Sequence, residues 1–432
     1  MVSSFLAAPS TRAAQRRTMI VLVIAQIIGT VGVGVAPSIG ILLAEEVTNS
    51  EAFAGLARTA STLGAAVFGL ALGSLAARSG RRVSLATGWW LAAAGAALLV
   101  AAAQYELIVP LFVGLLLIGA GSAVSLQSRF AATDLAEPHH KARSLSLVVW
   151  VGTIGSVLGP NLGAPGELVK SATGLSVFAS AFLIAAVCLT VAGIVVVGWM
   201  RPDPLVLLER SVQAPQAAVV RTSPPRFRQI FSELKTNHLA RIATIAILTA
   251  QAVMASVMTM TPVHVAHQGG SLTIIGITIS LHVAGMYALA PLVGLAVDRY
   301  GHRFALGAGV VIFVASLLIG AAGPNSMTWI IASLILLGIG WSFSNVAGSA
   351  LFSAVVGPET RATAQGGVDA LSNLSGAAAA FIAGPLMVAT SFSVLAIVAL
   401  VALVPLAAII ATRPISLRPV PMLAQPAQQA GG

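Results

Sequence analysis

Residues 73–82 read GSLAARSGRR and residues 294–303 read GLAVDRYGHR. Each follows a long apolar run, each crowds glycine and arginine into a short turn, and they lie 221 positions apart. Pro138 and Arg143 recur as Pro358 and Arg361 at offsets of 220 and 218, and the pair Gly159 and Pro160 recurs as Gly384 and Pro385 at 225. Landmarks repeating at a nearly constant offset mark a duplicated chain. Basic sequence precedes both copies, so they cross in the same sense and form a parallel repeat about an axis along the membrane normal.

The duplicated unit is a bundle of membrane helices. Of 432 residues, 57% are apolar and only 8% are charged, with a mean hydropathy of +0.95. Soluble domains carry roughly 25% charged residues, so an ordinary soluble enzyme is excluded. About 20 apolar residues make one crossing. The pattern predicts an all-α membrane protein of 12 transmembrane helices, near 19–43, 52–77, 83–103, 107–131, 144–166, 174–200, 239–264, 272–297, 304–322, 327–351, 362–389 and 392–412. They fall into a tail at 1–18, a six-helix bundle at 19–200, a linker at 201–238, a second six-helix bundle at 239–412 and a tail at 413–432.

Charge sets the orientation. With the N-terminus inside, every one of the 23 Lys and Arg except Arg58 and Lys170 lies in a tail, the linker, an even-numbered turn or a helix end beside one. Glu45, Glu46, Glu51, Glu106 and Glu167 occupy the opposite side. The positive-inside rule therefore puts the linker and both tails in the cytoplasm, and the net charge of +10 reflects topology, with nucleic acid excluded as a partner. Arg12, Arg16 and Arg17 precede an apolar run too long for a signal-peptide core, so helix 1 reads as a retained span.

The two glycine turns resemble the G-x-L-a-D-r-x-G-r-[KR] motif of the major facilitator superfamily, and the resemblance covers about 19–412. It implies two six-helix bundles rocking about a central cavity to give alternating access. Ala77 stands where the family has Asp, whereas Asp298 keeps it, so one of two cytoplasmic charge locks is complete. Arg78, Arg81 and Arg82 in the first copy, Arg299 and Arg303 in the second, and Arg143 at the start of helix 5 complete the expected gate, with Asp298 resting near Arg143 and Ser144 when the inner side closes. Gly155, Gly159, Pro160 and Gly163 partly match the helix 5 signature of drug/proton antiporters, and equally permit close helix packing. The helix 4 arginine of those antiporters is replaced by Leu115. Arg58 and Asp369 lie two turns inside helices 2 and 11, where a charge costs about 2.5–3.5 kcal/mol on insertion scales, and are expected to pair across the bundles in one state of the cycle.

The most informative cluster is in helices 7 and 8. Met254 and Met258 share one helical face, and His282 and Met286 repeat the spacing. Counted from the outer ends at 1.5 Å per residue, Met258 lies about 9 Å deep, Met254 and His282 about 15 Å, and Met286 about 21 Å. Neutral thioethers and an imidazole, with no carboxylate or thiolate, suit Cu(I) better than Zn, Mn or Mg. The M-x3-M and H-x3-M pairs resemble those of the CcoA-like bacterial copper importers. That resemblance implies copper uptake across the bacterial cytoplasmic (inner) membrane to supply assembly of cbb3-type cytochrome oxidase, and some members of the branch are linked to riboflavin. It also implies cysteines in copper handling, whereas this chain has only Cys188.

His264 and His267 at the outer end of helix 7 are candidates for capturing the metal. Copper is expected as transported substrate with no organic cofactor; the expected partners are the bilayer and a cytoplasmic copper chaperone, and the protein is expected to be a monomer. A proton-coupled exporter or importer of drugs or small metabolites would use the same fold and treat the methionines as packing. No H-E-x-x-H, G-x-S-x-G or G-x-x-x-x-G-K occurs, so the reading is not that of an enzyme.

Overall fold

The structure, a computed structural model, describes residues 5–6, 8–137, 140–212, 234–235, 237–356 and 358–415, without the side chains of 142 and 358–363. Pro138, most of the linker, the end of the C-terminal tail, and the side chains of Pro358 and Arg361 therefore lie outside the described residues.

Ten helical segments are long and apolar enough to cross a membrane. Two of them, Ala52–Tyr105 and Leu272–Ala322, run to 54 and 51 residues, more than twice the length of one crossing, because each contains two spans. The reversals fall at Gly80 (φ 86°) and Gly301 (φ 84°), the glycines of the two repeated motifs. Only a residue without Cβ adopts this left-handed conformation cheaply, so the repeat marks the two places where the chain must double back. After Gly80 the chain returns on itself, with Ser84 Oγ donating to the Leu72 carbonyl at 2.6 Å.

The twelve spans are α1 (Pro9–Thr48), α2 and α3 (52–79 and 81–105), α4 (Ile108–Ala131), α5 (Lys141–Leu158), α6 (Val177–Trp199), α7 (His238–His267), α8 (Leu272–Tyr287, resuming over 290–300), α9 (302–322), α10 (Met327–Val355), α11 (Pro358–Ala389) and α12 (Phe392–Thr412). Ser176, Asn237, Ser271 and Ser391 start α6, α7, α8 and α12, each side chain accepting from the backbone N–H three residues on.

Three segments differ from the sequence expectation. Helix 1 begins at Pro9 and passes through a π turn at Ala36–Gly40, so part of the expected tail is helical. Helix 5 ends in a 3-10 turn at Gly159–Asn161, and Gly163–Thr173 forms a separate helix. Helix 8 breaks at Ala288 and Leu289 because Pro291 has no N–H for the carbonyl of Tyr287.

One buried core, including Leu22, Trp89, Leu99, Leu115 and Phe182, fills α1–α6; a second joins α7, α8, α10 and α12 with Ile41, Leu42 and Ala54 of the first half, and a third fills the rest of the second half. Leu70, Val109, Leu295, Val311 and Val401 are each more than 60% exposed, the apolar outer surface a bilayer would cover. Inside the first half, Gly155 packs against Thr30 and Gly159 against Gly34, so the small-residue run of helix 5 has a packing role against α1.

Candidate functional site

The halves meet along a seam at the glutamate-rich end. A Cβ on Gly55 of α2 would come within 2.2 Å of the Ala380 carbonyl on α11, and one on Gly384 within 2.6 Å of the Ala52 carbonyl, so the backbones touch there. Thr59 Oγ1 donates to the Ala377 carbonyl at 2.9 Å. Asn161 Nδ2 donates to Ser280 Oγ at 2.7 Å, and that hydroxyl donates to the Val157 carbonyl at 2.5 Å.

At the arginine-rich end, these groups bond within their own half. Arg81 pairs with Asp134 at 2.8 Å, and Asp203 accepts from the Arg82 backbone N–H at 2.7 Å. Burial pushes the Asp134 carboxyl up from its ordinary range and Arg81 draws it back. Arg303 holds the carbonyls of Ile410 and Ala411 at 3.1 and 2.9 Å, and Arg299 lies over the Tyr300 ring. Arg78, Arg143 and Asp298 are exposed, and among the described residues no ion pair joins Asp298 to Arg143. The expected lock is thus disengaged in this arrangement, in which the contacts described above join the halves at the glutamate-rich end. Sequence reasoning missed Asp203, whose carboxylate lies where a Cβ on Gly80 would be, within 2.5 Å, and so supplies the first motif with an acid from beyond helix 6.

Because Asp298 makes no ion pair with Arg143 here and acts on the neighbouring His302, neutralising it should leave this arrangement intact and hinder inner closure. Asp298→Asn is expected to slow transport severalfold with normal folded yield, and Ala77→Asp to change the rate without abolishing it. Uptake assays on both variants check this, and equal loss from both would count against the lock.

Arg58 and Asp369, expected to pair in one state, do not pair in this arrangement. Arg58 acts electrostatically on Tyr287 and His282, whereas the cation facing Asp369 is Arg129 on α4. Position along the helices misled here, since lateral neighbours depend on packing that spacing alone does not give. Arg129, Tyr287, Gln26, Ser125, Thr153 and Ser156 line a central polar cavity of about 110 Å³. Exchanging charges as Arg129→Asp with Asp369→Arg is expected to restore part of the uptake lost in either single variant; additive losses would show that the two never cooperate.

The methionine and histidine pairs lie inside the second half. Met254, Met258 and Met286 are buried in one cluster with Leu334, Leu337 and Trp341 of α10, and His282 is wholly buried. The sequence set α7 against α8 directly; instead the two barely touch, α8 packing mainly on α10 and α7 on both α11 and α10. Gln251, on the face shared with Met254 and Met258, accepts from Trp341 Nε1 at 2.9 Å. Ser280 faces α5, so His282, 200° around the helix, turns away from it toward α10. There a Cβ on Gly338 would meet the His282 carbonyl at 2.3 Å, and His282 Nδ1 lies 2.8 Å from the Leu334 carbonyl. A carbonyl only accepts, so Nδ1 carries the hydrogen and Nε2 the lone pair. That Nε2 is buried without a hydrogen-bond partner.

The two outer histidines do not converge. His264 Nε2 meets the Pro324 carbonyl at 2.6 Å and its ring stacks on Phe392. His267 instead reaches the other half, with Nε2 at 2.5 Å from Glu45 and Nδ1 at 3.3 Å from Glu51.

The sequence pattern of the Major Facilitator Superfamily matches residues 18–273 and 242–429, and the chain belongs to that family. It is a transporter of that superfamily. It is 35% identical to the uncharacterized MFS-type transporter YddS of Bacillus subtilis (88% of this chain, 87% of the relative) and 35% identical to YdeG of the same organism (92% of each). It is 28% identical to the riboflavin transporter RfnT of Brucella anthropi (87% of this chain, 90% of the relative). In fold it is similar to the nucleoside transporter NupG (TM-score 0.69, 15% identity, 93% of this chain and 100% of that one) and to an inward-facing bacterial homologue of the lysosomal transporter Spinster (TM-score 0.70, 15% identity, 93% and 96%).

Proposed function

We propose that this transporter imports copper as Cu(I) across the bacterial cytoplasmic membrane, with Met254, Met258, His282 and Met286 handing the ion along α7 and α8 beside α10. The observation that carries this reading is the orphaned Nε2 of His282. A buried polar atom without a partner costs about 1–3 kcal/mol, and an ion bound at this lone pair would offset that cost. Metal-ligating histidines usually give their other ring N–H to a carbonyl or carboxylate, which fixes the ring and raises its basicity; Leu334 supplies that carbonyl. The neighbouring thioethers are soft and neutral, so a monovalent soft ion fits the donor set and a hard divalent one does not. The resemblance to the CcoA-like importers extends this reading to delivery to a cytoplasmic chaperone and to cbb3-type oxidase assembly.

A second reading, transport of a polar organic metabolite, is favoured by the central cavity and its guanidinium, hydroxyl and phenol groups, and by the likeness to a riboflavin transporter. Uptake of radioactive copper and of riboflavin by cells with and without the protein separates the two. Copper accumulation that depends on His282 supports the first; riboflavin uptake indifferent to His282 supports the second.

A further inference from the structure

The seam ends in a cluster around His267, which the sequence offered for metal capture and which two glutamates hold here. His267 closes α7 in the second half, Glu45 lies near the end of α1, and Glu51 just precedes α2. One imidazole is therefore held by two carboxylates of the opposite half, with the ligating atoms of all three within 4.8 Å of one another. An ionised carboxylate can only accept, and a neutral imidazole has a single N–H. A neutral ring would satisfy one glutamate and set its lone pair against the other. Both contacts are satisfied together only when the cluster holds one additional proton, with His267 as imidazolium.

The surroundings favour that proton. Glu46 lies beside Glu45 on α1, and Glu106, at the end of α3, acts on Glu46. His264 on α7 turns its Nε2 to the Pro324 carbonyl. Glu167 and Lys170 beyond α5 pair with each other at 3.7 Å. The groups closest to the ring are therefore acids, and each of its nitrogens faces a carboxylate oxygen.

We propose that His267, Glu45 and Glu51 form a proton-operated latch on the outer mouth, engaged when protonated and released when the proton leaves. His267 stays 47% exposed in the engaged arrangement, so its proton exchanges with the outer solution and is not carried across. The latch reads external pH. The engaged state binds the proton more tightly than the released state, so its advantage is present in acid and is lost as the external pH rises through the titration of the cluster.

The test uses the full chain in lipid nanodiscs without copper, so its outcome is independent of the cargo. Spin labels at Leu107→Cys and Asn325→Cys, on outer turns of the two halves, in a Cys188→Ala background, report the width of the outer mouth from pH 5.5 to 8.5. The ratio of narrow to wide populations is expected to fall by at least about fivefold as pH rises, within the tenfold per unit that one linked proton allows. His267→Gln, which retains a donor and does not titrate, should give a flat profile. A flat profile in the unmodified cluster would overturn the proposal without any variant, and so would a pH response unchanged by His267→Gln.

Discussion

His282→Ala is expected to lower copper accumulation at least about tenfold, the equivalent of 1.4 kcal/mol of lost affinity, because no water readily replaces an imidazole in that buried cluster. Met254→Ala, Met258→Ala and Met286→Ala should each reduce uptake as well, with Met254 the most sensitive because it lies closest in depth to His282. The chain carries its own control. Met260 is fully buried yet two positions from Met258, about 200° around α7, and Met260→Leu conserves apolar volume. It should be nearly silent. Radioactive copper uptake, normalised to folded protein in the membrane, decides the matter. If Met260→Leu were as harmful as Met258→Ala, or His282→Ala harmless, the four residues would be core packing and the metabolite reading would take their place.

An effect of similar size is expected from Gly55→Val. Its Cβ would lie within 2.2 Å of the Ala380 carbonyl, a backbone atom that cannot swing aside as a side chain could. Overpacking of this kind costs about 1–3 kcal/mol, and here the strain falls only on the arrangement in which the outer seam is closed. The first-half core around Trp89 and Phe182 and the second-half core around Leu306 and Phe352 contain none of the residues in this contact, so the variant should fold and reach the membrane while losing most of its uptake, trapped with the seam apart. Gly198→Ala is the matched control, since a Cβ there meets nothing within 4 Å. Normal uptake by Gly55→Val would mean that seam closure is not needed for transport.

The twelve spans were legible in the sequence because apolar length and a glycine turn are local signals. Gly80 and Gly301 announce their reversals through the repeated motif, and Pro291 announces the break in α8 at a place where periodicity alone predicts one straight helix. The candidate site was legible only in part. Spacing put Met254 with Met258 and His282 with Met286 correctly, since four residues on one helix share a face whatever surrounds them. It could not show that α10 stands at their meeting place, or that Leu334 fixes the His282 ring. The latch was illegible for another reason: His267 and Glu45 are 222 residues apart, and each looks like an ordinary solvated charge in its own turn.

The broken α8 bears on how well the protein insulates. Its outer limb is bolted to α5 through Ser280 and Asn161, and its inner limb carries Asp298 beyond the joint at Ala288 and Leu289. A rigid rod pinned at one end would oblige the inner mouth to close whenever the outer one opened. A jointed rod lifts that obligation, and a passage open at both ends would short-circuit the ion gradient across the membrane. Electrical tightness therefore falls to the seam itself, to the Gly55 and Gly384 backbone contacts and the few side chains beside them, which must hold until the inner limb has swung home.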